Sequence, residues 1–354
     1  MLKQRTTRAF VCAEAGALLV EQTIQLPELQ PHQVRVQIDA CGVAPADCHF
    51  AKDNWGASTF PLVAGIEGVG RVIEVGSLVK THNIGDTVGI GWVTSSCGTC
   101  DMCIRGMDNL CRQGYGGIFL GENSMRGNFT RETIVDARFA FILPPGMDPL
   151  SAVPFMCAGM TVYAPLREHV TGPDMRVGII SVGALGHLAV QFARVMGCQV
   201  SVFSTSPWKE PDCRQWGADR FVLSTDAAQM EAQANTCDLL VDCCHEAIDI
   251  KAYMNILRAG GKLAFVSILP PKDTPSIEVP LMPMVFGQKS VCGSIVAGTR
   301  DAMEMLRVAA AHGVTPSIET MPFTKVNEAI DRVLSGDHKG YRIVLTHDND
   351  NTHN

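Results

Sequence analysis

Residues 176–209, RVGIISVGALGHLAVQFARVMGCQVSVFSTSPWK, decide how the rest of the chain is read. Val177 to Val182 is a short apolar, β-branched run, the composition of a buried parallel strand. Gly183-Ala184-Leu185-Gly186 follows, and an apolar-periodic helix is expected from His187 to Met196, stopped by Gly197. Gln199 to Phe203 reads as the next strand. Strand, glycine turn, helix and strand open a nucleotide-binding unit, because the turn brings phosphates against bare amides at a helix N-terminus. The motif is degenerate: G-x-G-x-x-G calls for glycine at 181, where Ser181 stands. At the end of the second strand an NAD site carries Asp or Glu for the ribose hydroxyls. Here the stretch is Ser204-Thr205-Ser206-Pro207-Trp208-Lys209, with no acid before Glu210. Hydroxyls and a lysine suit a 2′-phosphate, so the expected cofactor is NADP(H).

The chain has 354 residues, which predicts two domains. Its formal charge is -7 and it has no basic block, which argues against nucleic acid or anionic membrane as partners. The opening MLKQRTTRAF does not read as a signal peptide, and no apolar run is long enough to span a bilayer. A cytoplasmic location with reduced cysteines is the expectation. Before residue 150, Arg8–Val11, Gln33–Ile38, Gly70–Val75 and Thr87–Ile90 alternate or run β-branched between turn residues, as in a closed or nearly closed β-barrel. After it, the segments at Arg220, Asp238 and Gly261 read as successive strands of a doubly wound parallel sheet. A helix from Asp301 to His312 and a β-like ending at Tyr341–Leu345 complete the chain; that ending has the option of returning to the first domain. The polar tail HDNDNTHN is expected to fray.

Fourteen cysteines in a reducing compartment need an explanation, and clustering supplies part of it. Cys97, Cys100, Cys103 and Cys111 lie on a turn-rich lobe, residues 95–113, with the spacing of a closed tetrahedral zinc site. A ferredoxin run would bring its fourth cysteine after three residues and before proline; here it comes after seven and before Arg112. The expected metal is a structural Zn²⁺. Cys243, Cys244 and His245 also look metal-like, but they follow a strand without partners and read as structural.

With these pieces the chain resembles the zinc-containing medium-chain dehydrogenases/reductases, and within them the cinnamyl alcohol dehydrogenase-like branch. The resemblance runs over nearly the full length. It is carried by the four-cysteine lobe, Val63-Ala-Gly-Ile-Glu-Gly-Val-Gly70, Val153-Pro-Phe-Met-Cys-Ala-Gly-Met-Thr-Val-Tyr163, the cofactor turn, and Gly293-Ser with Tyr341-Arg-Ile-Val. It implies a GroES-like barrel domain, residues 1–152 and 294–354, with a Rossmann domain, residues 153–293, inserted. It also implies NADP(H), two zinc ions per subunit, a small-molecule substrate and a homodimer. The cofactor residues implied are Thr161, Ser181, Gly183, Ala184, Leu185, Gly186, Ser204, Thr205, Ser206, Lys209, Val266, Ser294 and Arg342.

The departures from the family pattern are concentrated where its catalytic zinc is held. The family's C-H-S/T-D-x-H segment reads Ala44-Pro45-Ala46-Asp47-Cys48-His49 here, and its G-H-E reads Gly65-Ile66-Glu67. Two ligand positions are therefore Ala44 and Ile66, the proton-relay hydroxyl is Ala46, and only Glu67 and Cys157 remain as remnants of the metal site. A catalytic Zn²⁺ normally needs three protein ligands, so its loss is expected, Cys41, Cys48, Asp47 and His49 being the neighbours that a rebuilt site would use. Hydride transfer belongs to the cofactor and survives such a loss, best with acceptors already polarised: aldehydes, conjugated enals or enones, iminium carbons. His49 is then either a proton donor or a cofactor hydrogen-bonding residue. Asp47 and Glu67 are an acid, a structural pair or relics; Trp55 belongs to the substrate pocket or to the core. Two rival readings stay open: an ordinary zinc alcohol dehydrogenase with a rebuilt metal site, and a catalytically silent NADPH-binding protein.

Overall fold

The computed structural model describes residues 5–269, 278–337 and 340–347; the tail expected to fray lies outside them except for its first residue, His347, which is not frayed but stacks on Phe323 at 4.0 Å. The described residues fall into two compact units. One takes the chain up to Cys157, Gly298–Ala310 and the stretch from Pro316; the other takes Ala158–Ala297 and Ala311–Thr315.

The first unit is built on β1 (Thr6–Val11), β2 (Val20–Gln25), β3 (Gln33–Gly42), β4 (Glu67–Val75), β5 (Thr87–Ile90), β6 (Val93–Ser95), β7 (Gly116–Gly117), β8 (Glu132–Asp136) and β9 (Ala140–Ile142). Alternation places Val34, Val36, Ile38 and Ala40 of β3 in the core, while Gln37 stays exposed. β3 pairs antiparallel with both β4 and β8, and β4 continues through β5 to β9. The chain's last strands return to this unit. β17 (Arg342–Thr346) pairs antiparallel with β3, Val344 opposite Gly42, and carries β16 (Ile318–Pro322) parallel on its far side. The chain's last strands thus extend the seven-stranded sheet beside β3, the return that the β-like ending suggested. This is the GroES-like domain.

The second unit is a six-stranded parallel sheet: β10 (Arg176–Ile180), β11 (Gln199–Ser204), β12 (Arg220–Leu223), β13 (Cys237–Asp242), β14 (Leu257–Phe265) and β15 (Ser290–Gly293). Its order, β12-β11-β10-β13-β14-β15, is the doubly wound order in which the chain reverses direction beside β10. Ile180, Phe203, Val222, Leu240 and Leu263 from neighbouring strands bury one core, with Tyr253 standing edge-on to Phe203 at 5.8 Å. The helix after the glycine turn runs Gly186–Val195, one residue ahead of the expected His187–Met196. No single helix among the described residues is long and apolar enough to cross a membrane.

Candidate active and cofactor sites

In the sheet unit the carboxyl ends of the strands are level: Ile180 lies opposite Phe203 and Asp242, Asp242 opposite Phe265, and Phe265 opposite Gly293. Ligands bind at this edge in doubly wound sheets. Ser181 has φ +68°, the left-handed conformation that the missing glycine would adopt without strain, and its N–H donates to Phe203 O at 2.8 Å. Gly186 admits no side chain, because a Cβ would come within 2.1 Å of Ser181 O. A Cβ at Gly183 would meet nothing within 4 Å, so that side of the turn offers the room a pyrophosphate needs. His187, fully buried, places Nδ1 3.1 Å from Gly183 O and braces the turn. Ser181 and Thr205 line a cavity of about 780 Å³ with Thr225, Cys244 and His245. Cys243 itself is buried, and Asp242 ahead of it, raised to about 6 by burial, accepts from Cys244 N.

The remaining cofactor candidates take up distinct positions. Ser204 is buried, and its Oγ accepts from Ser206 N at 3.1 Å. Lys209 turns inward: its Nζ donates to Val182 O at 2.7 Å and lies 5.1 Å from the Trp208 ring, and burial lowers its pKa. Val266 and Ser294 sit just past β14 and β15, their N–H groups donating to Asp242 O and Phe265 O. Thr161 is buried on the helix Ala158–His169. Ala184 and Leu185 complete the turn. Arg342 is placed in the other unit. Its guanidinium, on β17, donates to Glu67 Oε1 at 3.0 Å and to Val43 O at 3.1 Å, both partners inside the barrel. This ion pair joins residues 275 positions apart, and no local pattern announced it.

The barrel unit gathers the catalytic candidates on the helix Pro45–Ala51 and the start of β4. Asp47 is fully buried. Oδ2 accepts from Ala44 N at 2.8 Å and Oδ1 from Gly65 N at 2.9 Å, so one carboxylate joins the two segments that carry the changed ligand positions. Burial raises its pKa to about 7, against the pull of those N–H groups and of Arg342. Glu67 packs on Gly42, where a Cβ would lie 2.0 Å from Oε2. Ala44 and Ile66 are both buried with no donor atom to offer, and Cys41 beside them is a thiol held well above its ordinary pKa by burial. Neither Ala44 nor Ile66 contributes a ligand to a catalytic zinc. Among the described residues, the four lobe cysteines are the one group of three or more His, Cys, Asp or Glu side chains whose donor atoms converge.

Those four do fit a zinc ion. Their sulfur atoms all lie within 4.8 Å of one another, and Cys97 Sγ is 3.8 Å from Cys103 Sγ. Tetrahedral zinc with Zn–S bonds of about 2.3 Å sets neighbouring sulfurs about 3.8 Å apart. Cys100 N and Thr99 Oγ1 point at Cys97 Sγ, and Arg112 N at Cys100 Sγ. Main-chain N–H groups lower the Cys97 thiol to about 6, whereas burial raises Cys103 to about 11. Such a closed site supplies no chemistry beyond holding its lobe, which Ser96 and Thr299 further secure through Asp108.

His49 stands among aromatic rings. Its imidazole is 5.1 Å from Trp55, and Phe50 contacts Trp55, Trp92 and Phe119 at 4.8, 5.4 and 5.1 Å. Trp92 Nε1 donates to the Tyr115 hydroxyl at 3.1 Å. Asn54 Nδ2 lies 2.8 Å from His49 Nδ1. Sequence reasoning found His49 and Trp55 but missed Asn54, Trp92 and Phe119, whose only signal was aromatic or amide character in turn-rich segments.

A barrel with a four-cysteine lobe and a doubly wound sheet with a glycine turn define a nicotinamide-dependent dehydrogenase. Comparison with known proteins agrees. Residues 30–145 match the alcohol dehydrogenase GroES-like domain, and residues 184–311 the zinc-binding dehydrogenase family. Vomilenine reductase of Rauvolfia serpentina is 36% identical over 341 residues, 95% of this chain and 93% of that protein. Cinnamyl alcohol dehydrogenase 8 of Arabidopsis thaliana is 36% identical, covering 88% and 87% of the two chains. A solved cinnamyl alcohol dehydrogenase of Sorghum bicolor superposes with a TM-score of 0.89 at 33% identity, over 97% of this chain and 98% of that one. The chain belongs to the zinc-binding alcohol dehydrogenase family of medium-chain dehydrogenases/reductases, enzymes that use NAD(P) on small-molecule substrates.

Proposed function

We propose that this enzyme is an NADPH-dependent reductase of aldehydes or of conjugated or iminium-type acceptors, working by hydride transfer without a catalytic zinc. One observation carries the reading: Ala44 and Ile66 stand where the family's metal ligands belong, and neither has a lone pair. Without a Lewis acid at that position, alkoxide formation from a simple alcohol loses its main electrostatic support, whereas a polarised acceptor needs less. His49 is then the polar group for the developing oxyanion, with Trp55 beside it. The preference for NADPH rests on Ser204, Thr205, Ser206 and Lys209 and on the absence of an acid before Glu210. That one relative is named a reductase agrees with this direction.

The test is turnover by protein of known metal content. NADPH consumption with an aldehyde, enal or imine panel is expected from protein carrying zinc only in its lobe. No turnover with any of them, despite cofactor binding, would leave a silent NADPH-binding protein. We also propose a homodimer. The helix Leu281–Gly287, packed against β14, exposes Leu281, Met282, Val285 and Phe286 just before β15, the edge strand of its sheet among the described residues. Sedimentation of Phe286→Asp is expected to show a monomer; an unchanged mass would place the dimer contact elsewhere or remove it.

A further inference from the structure

His49 and Asn54 are held to each other twice. Asn54 N donates to His49 O at 2.9 Å, and Asn54 Nδ2 faces His49 Nδ1 at 2.8 Å, with Trp55 closing one side of the imidazole at 5.1 Å. With the amide NH₂ facing the ring, as here, Nδ1 accepts; the flipped amide would instead accept from Nδ1–H. A neutral imidazole that accepts at Nδ1 carries its proton at Nε2. We propose that Asn54 is a positioning residue that holds His49 in the neutral Nε2–H form, so that His49 acts in reduction as a hydrogen-bond donor to the carbonyl oxygen and does not give up its proton. The inference rests on the reading of His49 given above.

The chemistry balances without a titrating histidine. With NADPH bound, its hydride would go to the carbonyl carbon and the C=O π pair to oxygen, where Nε2–H would stabilise the alkoxide while a water molecule supplied the proton. A neutral imidazole is competent as an electrophile of this kind. The imidazolium form would set Nδ1–H against the amide N–H of Asn54, donor against donor, and so is disfavoured while the amide keeps this orientation. Other charges lie close by. Lys52 and Asp53 are on the same segment, and Asp53 accepts from Ser58 N. Asp47 is bonded to Ala44 N and Gly65 N. Glu67 is paired with Arg342. The helix Val326–Ser335, packed on this segment, adds Glu328, Asp331 and Arg332, of which Glu328 meets Lys325 and Arg332 meets Glu319. The hydrogen bond at Nδ1 comes from Asn54.

Long-range ¹H–¹⁵N spectra of the full chain with ring-labelled histidine and bound cofactor test this, with His49 assigned by its loss in His49→Ala. The expected result is an unprotonated Nδ1 and a protonated Nε2 near neutral pH. Reduction is expected to be flat between about pH 6 and 8.5, the range in which an ordinary histidine would show. In Asn54→Asp the carboxylate accepts from Nδ1–H, the imidazolium persists to higher pH by about one unit or more, and a pH-dependent limb enters kcat. Asn54→Ala mixes the tautomers and lowers kcat severalfold with the KM for NADPH held. A wild-type Nδ1–H signal would overturn the inference, even if His49→Ala loses the ~10²-fold expected for an oxyanion donor. Full turnover by His49→Ala would overturn the reading of His49 itself, and the spectra would still decide what Asn54 does.

Discussion

Asp47 shows how much one buried carboxylate can be asked to do. It accepts from the N–H of Ala44 and from that of Gly65, the residue before Ile66. Its pKa stands at about 7 against an ordinary 3.8, chiefly because burial disfavours the charge. The folded state therefore keeps a proton that the unfolded chain releases between those values. The group's contribution to stability is fully present below the lower value and is lost as pH rises through the upper one. Asp47→Asn keeps one acceptor but turns an NH₂ toward a main-chain N–H, which is expected to destabilise by about 1–3 kcal/mol. That deficit should shrink as pH is raised from about 5 to about 7.5, because the variant has no charge to bury. Urea midpoints at the two pH values check it, and a deficit that grows with pH would refute the sign. The changed ligand positions make a second residue-scale prediction. Ala44→Cys combined with Ile66→His supplies the donors that, with Cys157, make three, and the double variant is expected to bind one zinc more per chain than the parent.

At the scale of elements, the sequence was most legible where chemistry and period coincide. The glycine turn, the strands beside it and the cysteine lobe each announce themselves within 20 residues, because a phosphate turn and a closed zinc site fix residue type locally. Long-range partnerships were not legible. Arg342, which family resemblance places at the cofactor, also donates to Glu67 and Val43 and fastens β17 onto the barrel, a role that no local pattern announces. A pair formed across 275 residues leaves no periodic trace in either segment. The Asn54–His49 contact was missed for a different reason, since an amide in a turn reads as turn chemistry. Replacing Arg342 by Met removes the cation paired with the buried Glu67 carboxylate and is expected to cost about 3–5 kcal/mol, seen as a lower denaturation midpoint. A midpoint within about 1 kcal/mol of the parent would show that the pair adds little. Cys100→Ser opens the closed site, and loss of zinc with loss of order in residues 95–113 is expected.

For the whole molecule, the fold and its family follow from these parts, and the enzyme class follows from the family. The proposal turns on a few side chains, Ala44 and Ile66 foremost, inside the family's scaffold. The barrel still brings Cys41, Asp47 and Glu67 into its interior, the sheet still offers a turn and a cavity of about 780 Å³, and the lobe still gathers four sulfurs. On the reading proposed above, substitutions of this sort leave the scaffold in place and bear on which acceptors can be reduced. The measurement that bears most directly on this account is zinc per chain in protein that turns over NADPH. The account predicts one zinc, lost from Cys100→Ser and kept by Cys157→Ala. Two zinc ions, one of them lost together with activity in Cys157→Ala, would contradict it.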